Sequence, residues 1–248
     1  MGMIGKNYIF YLIAIFASIF SGMYITTYSR GYDTKTKEIK GSILDVIKEN
    51  IPYTSIYIII SLIIYMLSTY VIDKNVDIAN TSGILKYAEM IIMLPSLLSI
   101  GILDKKYRKI PNRLNMNLLI IALAFTMLNG LLSITMLKDR VYAFLLAGII
   151  YIVMYYIGRL MYGKDAMGLG DIKLILAVSL SLGVLRIIDV TIITFLVATI
   201  SSIVISIYKS RKNIRDDYIP FGTFLIFGII ATQFMQIGTI TKMISHIF

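Results

Sequence analysis

The chain of 248 residues contains no cysteine, and its one histidine, His246, lies close to the C-terminal end. Without cysteine there can be no disulfide bond and no cysteine-ligated metal. A zinc protease of the HExxH type and a Ser-His-Asp hydrolase each need a histidine at a defined place, which a residue in the chain terminus does not supply. Hydrolytic chemistry in this protein would have to rest on other side chains.

Charge is also scarce. Charged residues make up 15% of the chain and hydrophobic residues 58%, and the mean hydropathy is +0.81. A soluble domain has about 25% charged residues, and here the apolar residues form long blocks, so the composition favours a bilayer over a water-soluble core. The formal net charge of +10 comes from residues between those blocks. That position favours a role in membrane topology over nucleic-acid binding.

The apolar blocks predict an all-α integral membrane protein, a polytopic bundle of about eight transmembrane helices. Spanning the hydrocarbon layer takes about 20 helical residues. The sixth block is short and contains Arg186. The predicted segments are Tyr8–Tyr28, Thr54–Ile72, Ile84–Leu103, Leu114–Leu137, Val141–Gly158, Leu174–Ile188, Val190–Tyr208 and Tyr218–Thr241.

Four loops carry most of the lysine and arginine residues: Ser29–Tyr53, Asp104–Arg113, Arg159–Lys173 and Lys209–Arg215. Basic loops favour the cytoplasmic side of a membrane. We therefore expect these loops in the cytoplasm and both termini outside. Residues 1–82 then form an N-terminal unit of two helices, and residues 83–248 form a six-helix core.

The largest loop, residues 29–53, is mixed in charge. Its stretch Gly41–Asn50 is interpreted as a solvated loop, with a short amphipathic helix at the membrane interface as the alternative. Within the third segment, Lys86 and Glu89 are three residues apart and are expected to form a structural ion pair.

Two aspartates stand at membrane boundaries. Asp104 ends the third apolar segment and Asp171 precedes the sixth. The two segments between them go out and come back, so both aspartates return to one membrane face. Paired carboxyls share one proton, and such a pair hydrolyses an amide without metal, thiol or histidine.

Glycines lie directly before Asp171. Gly168 and Gly170 lack a side chain and would let an extended substrate approach the backbone closely. An equally good interpretation is that the glycines only form a turn and that Asp171 caps a helix. Asp104 by itself is typical of an acid beside a solvated basic loop.

Three motifs carry a family resemblance. Ala166–Leu174 reads AMGLGDIKL, Asp104–Asn112 reads DKKYRKIPN, and Ile219–Leu225 reads IPFGTFL. These strings resemble the two aspartate motifs, and the Pro-Phe-Gly-Pro-Phe-like start of the last helix, in the type IV prepilin peptidase family. The resemblance implies catalytic roles for Asp104 and Asp171. The candidate substrate contacts are Gly168, Gly170, Pro111, Asn112, Pro220, Phe221 and Gly222.

The resemblance also implies a reaction. Members of this family are GxGD-type aspartic endopeptidases that cut the short basic leader from type IV prepilins or pilin-like proteins at the cytoplasmic face of the cell membrane. The implied partners are such a substrate and the lipid bilayer, with no nucleic acid and no metal. Many bacterial members carry a four-cysteine zinc site in the first cytoplasmic loop, which this chain cannot form. An archaeal prearchaellin or prepilin peptidase relative therefore stays open.

S-adenosylmethionine is expected as a cofactor only if the N-methyltransferase activity of some members is retained. Two further interpretations come from other classes. One is a small membrane transporter, although both aspartates stand at helix ends and no inverted repeat is visible. The other is an inactive membrane scaffold of a pilus or secretion system, which would be expected to lack an aspartate or the glycines.

Overall fold

The computed structural model describes residues 8–33, 36, 38–39, 41–76, 81–162, 167–211, 220–235 and 239–240. Those residues form long helices and one small antiparallel hairpin in which Tyr32 pairs with Ile39. The elements, in chain order, are α1 (Tyr8–Gly31), β1 (Tyr32–Asp33), β2 (Glu38–Ile39), α2 (Ile43–Glu49), α3 (Ile51–Val76), α4 (Thr81–Tyr107), α5 (Asn112–Leu132), α6 (Ile134–Tyr162), α7 (Leu169–Leu182), α8 (Val184–Arg211) and α9 (Phe221–Gln233).

Six helices in the described residues are long and apolar enough to cross a bilayer, namely α1, α3, α4, α5, α6 and α8. Helix α7 has 14 residues and α9 has 13. At about 1.5 Å per residue neither reaches across about 30 Å of hydrocarbon by itself. The protein is therefore a membrane-type helical bundle, and the count of eight spans stays a prediction. Both chain termini, with His246, lie outside the described residues.

Helix α4 is the centre of the bundle. It packs against α1, α3, α5 and α9, and α7 fills the space between α5 and α6. The largest buried cluster includes Ile100 and Leu103 of α4, Leu114 of α5 and Leu174 of α7. The opposite surfaces expose large apolar side chains, such as Leu160 of α6, as expected for helices that face lipid. The last turn of α4, with Asp104, is thereby held inside the protein.

The predicted segment Leu174–Ile188 is wrong at its C-terminal end. Helix α7 stops at Leu182, and Gly183 has a φ of 80°, a left-handed conformation that glycine adopts without strain. Helix α8 begins directly afterwards, and Asp139 of α6 accepts a hydrogen bond from the backbone N–H of Val184 at 3.2 Å. Arg186 therefore belongs to the first turn of α8. The segment Leu114–Leu137 is likewise divided at Ser133, between α5 and α6.

The interpretation of Gly41–Asn50 as a solvated loop is also wrong. Helix α2 occupies Ile43–Glu49, and Val46 is buried where the helix packs against α1. Ile43 and Leu44 are exposed. One apolar residue therefore anchors the helix to the protein, and two others are free for the membrane interface, which agrees with the alternative of an amphipathic interfacial helix.

Glu89 does not pair with Lys86 as expected. Its carboxylate accepts hydrogen bonds from both terminal nitrogens of Arg140, on α6, at 3.0 and 2.9 Å. The hydroxyl of Ser181, on α7, donates to the same carboxylate at 2.5 Å. An arginine fork matches a carboxylate better than a lysine one turn away can. The pair therefore joins three helices and does not stay within α4.

Candidate active site

Four helix ends meet around one cavity. The C-terminal end of α4 and the N-terminal ends of α5 and α7 line a space of about 600 Å³, and the N-terminal end of α9 closes against Asp104. The side chains of Asp104 and Asp171 both line this cavity. Their residues are only 3% and 5% exposed. Two carboxyl groups that the sequence separates widely are thus buried side by side at one end of the bundle.

Asp104 lies in the last full turn of α4 and contacts the start of α9. Its Oδ2 accepts a hydrogen bond from the backbone N–H of Thr223 at 2.9 Å and contacts the Thr223 hydroxyl at 3.3 Å. Pro220 is the N-cap of α9, so Thr223 is in the first turn, where backbone N–H groups have no partner inside the helix. The positive end of the helix dipole points the same way. These contacts stabilise a negative charge on Asp104 relative to a carboxyl without donors.

Asp171 lies in the first turn of α7, which is not one of the candidate spans. Its Oδ2 accepts a hydrogen bond from the backbone N–H of Gly168 at 3.2 Å. Its Oδ1 is buried and has no hydrogen-bond partner among the described residues. Burial, and then the charge of Asp104, raise the pKa of Asp171 to about 7. Asp171 therefore caps the start of α7 and also lies beside Asp104, so the two interpretations of this residue do not exclude each other.

Gly222 lies beside both carboxyl groups. A Cβ atom at this position would lie 2.8 Å from Oδ1 of Asp171, 3.0 Å from Oδ2 of Asp104 and 3.0 Å from Cδ1 of Ile110. Both oxygens thus face one small space, which a glycine leaves open and any other residue would fill. Such an arrangement can share a proton and can activate a water molecule between the carboxyls.

The other candidate contacts divide into two groups. Gly168, Gly170, Pro111 and Asn112 line the cavity of the aspartates. Phe221 packs against Phe195 of α8, with ring centroids 5.5 Å apart, and so contributes to the core. Pro220 begins α9 and sets the position of the following residues.

Sequence reasoning missed two supporting residues. Asn115 of α5 donates a hydrogen bond from Nδ2 to the carbonyl oxygen of Gly170 at 3.1 Å, which ties α5 to the turn before Asp171. Thr223 stands where the family-like motif has proline, and proline has no N–H to donate. The sequence shows this departure from the motif, and it could have indicated a backbone donor here, because only a residue other than proline can donate its N–H to Asp104.

Lys173 lines the same cavity, and its Nζ lies 3.4 Å from Oδ1 of Asn112. The amine is therefore directed toward the site. Arg108, Lys109 and Arg113 also line this cavity. Arg113 lies 3.6 Å from the carboxylate of Glu38, on β2. The wall around the aspartates is therefore basic.

Comparison with protein-family models matches residues 91–207 to the type IV leader peptidase family. No curated protein and no solved structure matches the chain significantly. The matched residues run from the middle of α4 to the end of α8 and include Asp104 and Asp171. The match confirms the resemblance read from the motifs: residues 91–207 are similar to the type IV leader peptidase family, which supports a peptidase of that general kind.

Proposed function

We propose that the protein is an aspartic endopeptidase that removes the leader peptide of prepilins or pilin-like proteins at the cytoplasmic face of the cell membrane. The observation that carries this proposal is the buried pair Asp104 and Asp171, whose oxygens face one space beside Gly222. The family match over residues 91–207 supports the peptidase class. The basic loops support a cytoplasmic position for the pair.

The surroundings of the two aspartates suggest their roles. Asp104, which accepts hydrogen bonds at the start of α9, is the ionised carboxylate and takes a proton from water. Asp171 holds the shared proton on its side that faces Asp104, and donates it to the scissile carbonyl oxygen. Water adds to the carbonyl carbon and gives a gem-diol. The C–N bond then breaks as the proton held by Asp104 passes to the leaving nitrogen, and one hydroxyl of the gem-diol returns a proton to Asp171.

The basic wall of the cavity bears on where the leader lies. A leader with several lysines would be repelled by Arg108, Lys109 and Lys173. A second cavity of about 360 Å³ shares Tyr32 with the first. It is lined by two acidic residues, Asp33 and Glu49, and by one basic residue, Arg30. We place the leader over this second cavity, where acidic side chains attract it.

The cavity of the aspartates then takes the residues around the scissile bond. An extended chain can pass close to Gly168 and Gly170, which have no side chains to block it. The hydrophobic helix that follows the cut lies in the bilayer. The reaction proposed here uses water and two carboxyls, and S-adenosylmethionine enters only for a separate methylation of the new N-terminus.

The test is a cleavage assay with the full-length protein in liposomes and a prepilin that carries a basic leader, followed by mass spectrometry. Wild type should release the leader, and Asp104→Asn and Asp171→Asn should each abolish release while the protein remains inserted and folded. Asp45→Asn, which changes an exposed aspartate of α2, is the matched control and should cleave normally.

Each other outcome has a defined meaning. Cleavage by either active-site variant at the wild-type rate contradicts the aspartate pair. No cleavage by wild type across several pilin-like substrates favours an inactive scaffold. A parallel reaction with S-adenosylmethionine tests whether the product gains one methyl group.

A further inference from the structure

A third cavity begins at the opposite end of the bundle from the aspartates. It measures about 270 Å³ and is lined by residues of α3, α4, α5, α6, α7, α8 and α9. Ser82 at the start of α4 lines it, and Asp104 is 22 residues further along the same helix. At about 1.5 Å per residue the two ends are separated by roughly 33 Å. The end of the cavity beside Ser82 is thus remote from the peptidase site.

Three basic residues from three helices line the polar end of this cavity: Lys86 of α4, Arg140 of α6 and Arg186 of α8. Two acidic residues, Glu89 of α4 and Asp139 of α6, line it as well, so the basic residues are in excess by one. Arg140 is neutralised by its two hydrogen bonds to Glu89. Arg186 donates a hydrogen bond to Oε1 of Gln233 at 2.8 Å, and the charge of Asp189 acts on it within the same helix.

Lys86 is different. It lines the cavity and is half-buried, and within the described part of the chain no hydrogen bond or ion pair joins its amine to another residue. Ser68 of α3 lines the cavity too, is 1% exposed, and has a hydroxyl without a hydrogen-bond partner in that part of the chain. Unpaired polar groups at membrane depth are costly. Both groups therefore indicate a missing ligand with acceptor oxygens and negative charge.

The rest of the cavity is apolar and elongated. Along α4 the lining residues follow a helical face, from Ser82 and Lys86 at the end of the helix to Met90, Met93 and Leu97 nearer its middle. That strip extends over about 22 Å at 1.5 Å per residue. One end is polar and basic and the remainder is apolar, which matches a molecule with an anionic head and a hydrocarbon chain.

We propose that this cavity binds one membrane lipid with an anionic, phosphate-bearing headgroup. The amine of Lys86 and the guanidinium of Arg186 hold phosphate oxygens, and the Ser68 hydroxyl donates to an oxygen of the same headgroup. One acyl chain lies along Met90, Met93 and Leu97. The site joins seven helices at the end away from the aspartates, so the bound lipid stabilises the bundle independently of peptidase activity.

The experiment uses full-length protein that has been delipidated in a neutral detergent. Native mass spectrometry and thermal unfolding are recorded with phosphatidylglycerol, with phosphatidylcholine of the same chains, and with inorganic phosphate alone. Wild type should bind one phosphatidylglycerol, raise its Tm with it, and prefer it about tenfold over phosphatidylcholine. Lys86→Gln should remove that preference and Lys86→Arg should restore it. Lys138→Gln, which changes an exposed lysine near the same end, should behave as wild type.

Lipid-free detergent supplies a further test, because removal of an unpaired buried charge should not weaken folding. Lys86→Gln should therefore unfold at the wild-type temperature or above without lipid. A clear loss of stability there would mean that Lys86 is already paired in the protein, and would overturn the proposal. Equal binding of the two lipids, or an effect of inorganic phosphate as large as that of phosphatidylglycerol, would also overturn it.

Discussion

Replacing Gly222 by alanine puts a methyl group into the space between the two carboxyl groups. The new carbon would lie 2.8 Å from Oδ1 of Asp171 and 3.0 Å from Oδ2 of Asp104. Carbon atoms make their best contacts at about 3.5–4.0 Å, so the carboxyls must move apart by several tenths of an ångström. We expect kcat to fall by up to about 100-fold, since a misplacement of about 1 Å can cost that much.

The folded state should tolerate the same change. Alanine in the first turn of α9 gains about 0.5–1 kcal/mol in helix propensity over glycine, and a crowded contact costs typically about 1–3 kcal/mol. The two effects partly cancel, so the free energy of unfolding should change by no more than about 2 kcal/mol. Gly148→Ala in α6 is the matched control, because its methyl would meet Leu176 Cδ2 at an ordinary 3.5 Å.

The assay measures leader release by each variant in liposomes, with thermal unfolding recorded on the same samples. Gly148→Ala should cleave at the wild-type rate. Normal cleavage by a folded Gly222→Ala protein would refute the inference that both carboxyls act across this space. Loss of activity together with a large loss of Tm would be repeated with Gly222→Ser, which tests whether crowding or unfolding is the cause.

Three further results are expected. Thr223→Val removes the hydroxyl near Asp104 and keeps the backbone donor, so kcat should fall about tenfold, or ~1.4 kcal/mol, with KM unchanged. Thr223→Ser should restore the wild-type kcat. Equal rates for both variants would show that the hydroxyl has no part in the mechanism. Burial, and then the charge of Asp104, raise the pKa of Asp171 to about 7, so kcat should fall as pH rises through about 7. The folded state also binds this proton better than the unfolded state does, so thermal stability should decline as pH rises toward 7, and Asp171→Asn should flatten that decline. Glu49→Lys should raise KM for a basic leader and leave kcat unchanged, and a substrate whose leader lysines are replaced by glutamine should be insensitive to the change.

The position of the two aspartates at one end of the bundle could be predicted from the sequence because it depends on the number of apolar segments between them. Asp104 and Asp171 are separated by two apolar segments, and an even number of crossings returns the chain to the same side. Small errors in helix ends, such as the division of Leu114–Leu137 at Ser133, leave that parity unchanged. Membrane topology and local motifs therefore predicted the main residues of the site.

Partners that lie far apart in sequence could not be predicted in the same way. Glu89 has Lys86 one turn away, and local spacing favours that pair, but Arg140 reaches it from another helix with better geometry. The role of Thr223 depends on how the start of α9 meets the end of α4, which no local pattern describes. The end of α7 was misplaced because hydropathy continues through Gly183, whereas the backbone changes direction there.

The contact between Thr223 and Asp104 also has a consequence for biogenesis. It joins residues 119 positions apart, and Gly222, which borders both carboxyls, belongs to the same late segment. A growing chain at about 5–20 residues per second contains both aspartates several seconds before α9 exists. During that interval Asp104 lacks the hydrogen bond from Thr223, so a nascent or truncated chain should have no competent site. Proteolytic activity would therefore begin only when synthesis reaches the last helix, which protects neighbouring membrane proteins from an incomplete enzyme.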